Sequence, residues 1–115
     1  MLDVLPKISN LLKGIARIEL AGSEAPLKMP SIYLSQTSNA TAVKFDNKDF
    51  LTDIIIQLDI YAETPGRCVE IANVVNEIMQ NEGWQRQNGF AMERQRYVLT
   101  YTALVSEKYN IYDKE

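Results

Sequence analysis

Histidine is missing altogether from this 115-residue chain, and cysteine occurs once, at Cys68. The first absence removes the commonest general base and the commonest metal ligand. The second excludes an internal disulfide and a zinc-finger ligand set. Glycine (5) and proline (4) are both scarce, which excludes collagenous and low-complexity classes. No apolar run exceeds three residues, as at Ile54–Ile56, far short of the roughly 20 that a membrane-crossing helix needs. Met1–Ile18 carries Asp3, Lys7, Lys13 and Arg17 among its apolar residues. It has no continuous apolar segment of the signal-peptide kind, so a cytosolic location is expected. Neither sign of charge dominates. Lys+Arg is 12 and Asp+Glu is 15, for a net charge of −3. Residues 1–63 hold 6 and 8 of these, and residues 64–115 hold 6 and 7. With no basic tail or stripe, a phosphate-tracking nucleic-acid binder is not expected.

What is present is 46% hydrophobic and 23% charged, the composition of one ordinary globular domain. Leu5, Ile8, Leu12 and Ile15 recur at helical spacing, with Leu11 widening the stripe. They predict a helix over Leu2–Gly14 with Pro6 in its first turn. Ile15–Leu20 alternates as a strand, Ala21–Pro30 reads as a loop, and Ser31–Ser35 as a short strand. Gln36–Asp49 is polar and predicts a long loop, with a short strand at most across Thr41–Phe45. Loops of that length are often functional. This one is expected to be mobile in the free subunit, with Val43, Phe45 and Phe50 as anchors.

Phe50–Ala62 is the clearest strand. Ile54, Ile56, Leu58, Ile60 and Ala62 form one face; Asp53, Ile55, Gln57, Asp59 and Tyr61 form the other. Thr64 and Pro65 then open an amphipathic helix that Gly83 closes, with Cys68, Ile71, Ala72, Val75, Ile78 and Met79 on its apolar side. Trp84–Asn88 reads as a strand and Gly89–Glu93 as a turn signalled by Asn88-Gly89. Arg94–Val105 reads as a long return strand. Ser106–Glu115 has no period. The expectation is a single α+β domain over residues 1–105 with a polar tail over 106–115. Its sheet is antiparallel or mixed, with two helices packed on one face.

Catalytic signatures are absent: no G-x-S-x-G, no P-loop, no G-x-G-x-x-G, no H-E-x-x-H. Cys68 has no histidine to activate it and sits on an apolar stripe, as a structural thiol does. Asp53 and Asp59 share a strand face but lie six residues, about 20 Å, apart, too far for a general acid/base pair. Asp46, Asp49 and Asp53 lack the calcium-loop pattern. No catalytic residue, cofactor or metal site is therefore expected.

Arg86, Arg94 and Arg96, with Phe90 and Tyr97, resemble a single-strand nucleic-acid binder. Glu93 interrupts them and the chain is acidic overall, so a rim of charges at a protein contact or on a solvated hairpin is the expectation. Ile55 and Tyr61 beside Asp53, Gln57 and Asp59 predict either a partner or a second layer of the same chain over that face. Phe45, Phe50, Tyr109, Ile111 and Tyr112 add apolar anchors of the kind that dominate interfaces. Together these residues suggest an assembly protein. A small ligand-binding or regulatory module acting as a homo-oligomer is the alternative.

The layout resembles a known family. A short N-terminal helix precedes a Pro30-Ser31-Ile32 strand. A long strand then runs Ile54-Ile55-Ile56-Gln57-Leu58-Asp59-Ile60-Tyr61-Ala62-Glu63-Thr64. One amphipathic helix over Pro65–Glu82, a Gly83-Trp84 hairpin opening and the return strand Tyr97-Val98-Leu99-Thr100-Tyr101 complete it. Over roughly residues 2–105 this is similar to the tail-terminator (tail-completion, head–tail joining, minor capsid) proteins of long-tailed bacteriophages and prophages. The resemblance implies a hexameric ring that caps the tail tube and meets the head connector. Its partners would be further copies of itself, the tail-tube protein and a head-completion protein. Its location would be the bacterial host cytoplasm during assembly and then the virion tail. Acidic Asp53 and Asp59 on one patch and basic Arg86, Arg94 and Arg96 on another are expected to supply complementary edges for such a ring.

Overall fold

The structure is a computed structural model that describes residues 3–20, 28–45, 49–87, 92–93, 95–106 and 111–112. Its elements are α1 (Leu5–Leu12), β1 (Arg17–Leu20), β2 (Ser31–Phe45), β3 (Asp49–Tyr61), α2 (Pro65–Asn81), β4 (Gln85–Arg86), β5 (Met92–Glu93), β6 (Arg96–Ser106) and β7 (Ile111–Tyr112). The strands form one sheet in the order β1-β2-β3-β6-β4, and β5 and β7 also pair with β6. Only the β1–β2 pairing is parallel, so the sheet is mixed. Both helices pack on one face, which makes this an α+β fold of two layers.

Strand β3 runs through the middle of the sheet, and its period-2 pattern decides the layers. Ile54, Ile56, Leu58, Ile60 and Ala62 are all fully buried under the helices. Their cross-strand partners on the same face are Ile32 and Leu34 of β2 and Leu99, Tyr101 and Ala103 of β6, and these are buried too. Helix α2 places Cys68, Ile71, Ala72, Val75 and Met79 on this surface. Helix α1 adds Ile8 and Leu12. Its entry is fixed by the Val4 N–H, which donates to Oε1 of Gln36 at 3.0 Å.

The ends of α2 follow from local chemistry. The Thr64 Oγ1 accepts from the Arg67 N–H at 3.2 Å, and Pro65 occupies the first turn, where its missing N–H is no loss. At the other end the Gly83 N–H donates to the Gln80 carbonyl and the Trp84 N–H to the Met79 carbonyl, both at 3.0 Å. This pair of bonds is a Schellman closure, and it requires a residue in the left-handed region. Gly83, at φ 101°, supplies it. Trp84 and Met79 are both buried, which completes the apolar contact such closures carry.

Two expectations change. Gln36–Asp49 is not a long loop. β2 continues to Phe45 and β3 begins at Asp49, so the segment is mostly one arm of a hairpin. Its register holds from Ser31↔Tyr61 to Ser38↔Ile54, shifts, and resumes from Ala42↔Thr52 to Phe45↔Asp49. Ser, Asn and Thr carry no apolar alternation; pairing with β3, not intrinsic preference, makes this stretch a strand. In the supposed polar tail, Ile111–Tyr112 pairs with β6 as β7. The expected turn at Asn88-Gly89 lies outside the described residues.

Leu58 and Ile71 join the central strand to α2. Truncating either to Ala is expected to lower unfolding free energy by about 2–5 kcal/mol, and Gly83→Ala by about 1–2 kcal/mol for the left-handed backbone. Urea denaturation of each variant checks all three.

Candidate interaction surface

The face of the sheet opposite the helices carries β3 residues Asp53, Ile55, Gln57, Asp59 and Tyr61. Register places Tyr33, Ser35 and Thr37 of β2 beside them on one side, and Arg96, Val98, Thr100, Thr102 and Leu104 of β6 on the other. Among the described residues no helix covers this face. Its apolar members Tyr33, Ile55, Tyr61, Val98 and Leu104 are all partly exposed. No second layer of described residues lies over Ile55 and Tyr61.

The polar groups on the face are bonded to one another, both across strands and along β3. Arg96 donates to Oδ2 of Asp59 at 2.7 Å, and Gln57 donates to its Oδ1 at 2.9 Å. The Thr102 hydroxyl donates to Oδ1 of Asp53 at 3.0 Å. Both β3–β6 contacts are diagonal, the second-nearest position on a sheet face and one that long side chains reach. The Tyr33 and Tyr61 rings meet edge to face, with centroids 5.7 Å apart and planes at 82°. On β1, Arg17 and Glu19 pair at 2.8 Å. The result is a surface whose charges are largely matched within it and whose apolar groups stand between them.

This geometry corrects the expected pair of complementary edges. Arg96 is not on a patch separate from Asp59; the two form an ion pair on adjacent strands of the same sheet. Arg86 does not join Arg96 either. It pairs in register with Tyr101, on the helix side of the sheet, and its guanidinium donates to the Tyr97 hydroxyl at 3.4 Å. Reversing the charge of Arg96 therefore removes an internal ion pair as well as altering the surface. Phe45, Phe50 and Tyr112 lie on β2, β3 and β7, where register sets Phe45 against Asp49, Phe50 against Lys44 and Tyr112 against Leu104. Arg94 and Tyr109 lie outside the described residues. Asp53, Ile55, Asp59, Tyr61 and Arg96 are brought together. Tyr33, Val98 and Leu104 belong with them. The alternation of β6 marks Val98 and Leu104, and the pairing Tyr33↔Asp59 marks the third.

Elsewhere the described side chains take structural roles. Cys68 is fully buried, its thiol donates to the Ile60 carbonyl at 3.9 Å, and burial pushes its pKa up, away from the reactive thiolate. A shallow groove of about 330 Å³ beside the start of α2 is lined by Pro30, Glu63, Thr64 and Arg67. The Arg67 guanidinium there is bonded to Glu70 at 3.0 Å. Among the described residues no three Cys, Asp or Glu side chains come together as a metal site. None of their helices is long and apolar enough to cross a membrane. No protein-family profile matches the chain, and no curated protein matches it significantly.

Under the sheet, the Tyr101 hydroxyl donates to Oδ1 of Asn76 at 2.7 Å. Burial raises its pKa from 10.0 to about 12, against the opposing pull of the Arg86 cation. The folded state therefore favours the neutral phenol more strongly than the unfolded chain does. Its contribution to stability is complete below pH 10 and is lost as pH rises from 10 towards 12. Unfolding free energy measured across that window is expected to fall in the wild type and to fall less in Tyr101→Phe. At neutral pH the same variant should cost about 1 kcal/mol for the hydrogen bond that Asn76 loses.

Proposed function

We propose that this protein is a self-assembling structural subunit of the phage tail-terminator kind, which closes into a ring on the end of a tail tube and presents that ring to the head connector. One observation carries this reading. The whole sheet face opposite the helices is left without a layer of described residues, yet it holds Tyr33, Ile55, Tyr61, Val98 and Leu104. A two-layer fold that leaves an apolar sheet face half exposed is suited to burying it against another chain. The resemblance of the element order and of the Ala62-Glu63-Thr64 strand ending to tail-terminator proteins selects the kind of assembly.

A ring requires a heterologous contact, in which this face meets a different surface on the next subunit. Because Asp59, Arg96, Asp53 and Thr102 are already bonded within the subunit, their desolvation at such a contact is partly compensated. The apolar groups between them supply the driving force, at about 25 cal/mol per Å² buried.

Ile55→Asp puts an unpaired charge in the centre of this face without touching the core. It is expected to abolish ring formation in light scattering while leaving thermal unfolding within a few degrees of wild type. Wild-type protein added to growing tail tubes should stop elongation, and the variant should not. Wild-type protein that neither forms a species of about six subunits nor binds tubes would overturn the proposal.

A further inference from the structure

We infer that the outer edge of β2 is a second, separate contact surface, and that its occupant is the same edge of another copy of this chain in a two-fold antiparallel pair. Among the described residues the topology leaves this edge open. β1 covers β2 only over Ser31–Leu34. Beyond Leu34, from Ser35 to Phe45, β2 has β3 on one side and no described strand on the other. In Ser35–Ser38 and Ala42–Phe45, the stretches in register with β3, the even-numbered residues turn their N–H and C=O groups away from it, on the side where the Pro30 carbonyl accepts from Arg17 of β1.

Natural edges are usually blunted by proline, by charge or by shortness. This one has no proline, and its only charged residue is Lys44. The chain as a whole carries −3, but two copies meeting along this edge do so without a like-charge clash. A two-fold pair that overlaps the open stretch fully sets residue 35 against 45 and Lys44 against Gln36. Ala40 then lies on the axis.

Topology also selects the occupant. The far edge of the sheet belongs to β6, and it is tiled by β5 at Arg96–Tyr97, β4 at Tyr101–Thr102 and β7 at Leu104–Val105. A head-to-tail continuation of the sheet from copy to copy would need that far edge, so it is blocked. The long open edge that a second copy can offer is its own β2. The register shift between Ser38 and Ala42 fits this symmetry. It divides the open edge into Ser35–Ser38 and Ala42–Phe45, four residues each, and the two-fold axis places each segment against the other in the partner. A two-fold axis that makes strands antiparallel stands perpendicular to the sheet. Both helical layers then lie on one side, and the two open faces join into one surface of doubled width.

This contact does not rest on the tail-terminator reading and is tested apart from it. In the Ile55→Asp background, where the ring contact is removed, light scattering should report twice 13.1 kDa at high concentration. Ser38→Pro removes a donor that faces away from β3, because even-numbered β2 residues lie on the side from which Pro30 accepts the Arg17 N–H, and it should restore the single-chain mass. Ser38→Lys should do the same if proline disturbs the fold: it leaves the backbone intact and occupies the register position diagonal to Lys44 of the other copy, which sets like charges against each other. Single cysteines placed from Thr37 to Val43 should, on oxidation, cross-link as dimers most efficiently at or next to Ala40. Opposed strand residues there lie within disulfide reach, while buried Cys68 stays silent. A single-chain mass at every concentration, a dimer that ignores both Ser38 variants, or cross-linking no better near Ala40 than at distant surface cysteines would each overturn the inference. Tube capping with any of these results would leave the terminator reading standing and this one failed.

Discussion

The rest of the structure depends on the pairing of β3 with a neighbour on each side. From Leu51 to Tyr61 it is in continuous register with β6, and over most of the same span with β2. Because side chains alternate strictly along a strand, a slip of one residue would send Ile54, Ile56, Leu58 and Ile60 to the open face and Asp53 and Asp59 under the helices. Burying those carboxylates in a dry core costs several kcal/mol each. The register is thus held by hydrophobic burial on one face and by refusal of charge on the other. The helices then have a single surface on which to lie, and the two-layer architecture follows.

The parts legible in the sequence are those whose cause is local. Thr64, Pro65 and Gly83 mark the ends of α2 through hydrogen bonds made within a few residues. The alternation of β3 is complete in one stretch of chain, and the α+β arrangement follows from it. The length of β2 was hidden because its cause is distant. Gln36 to Ser38 has neither apolar period nor strong β preference, and it becomes a strand because β3 offers a ladder to pair with, which resumes at Ala42 after the register shift. The separation of Arg86 from Arg96 was hidden for a similar reason. Their closeness in sequence does not reveal that β4 pairs beside Tyr101 while Arg96 reaches Asp59 on the other face. Val98 and Leu104 were present in the alternation of β6 but became members of a surface only once β6 was known to lie beside β3.

The open face combines two properties that are usually traded against each other. Its apolar residues favour association, which on a free subunit is also a risk of indiscriminate sticking. Its cross-strand bonds, Arg96 to Asp59 and Thr102 to Asp53, hold polar groups at fixed positions between those residues. A partner must match that fixed polar pattern to gain the apolar burial, so selectivity resides in the charges and strength in the side chains around them.

The far side of β6 has a different consequence. Three strands of two residues each share that edge, and each contributes only a rung or two of the ladder. Such pieces have no common hydrogen-bonded backbone, so one can detach while the others stay in place. The sheet is therefore graded in cooperativity: rigid where β2, β3 and β6 run long together, and able to open in small independent steps along one margin. Amide exchange would resolve that margin into separate patches, while the centre opened only with the whole fold.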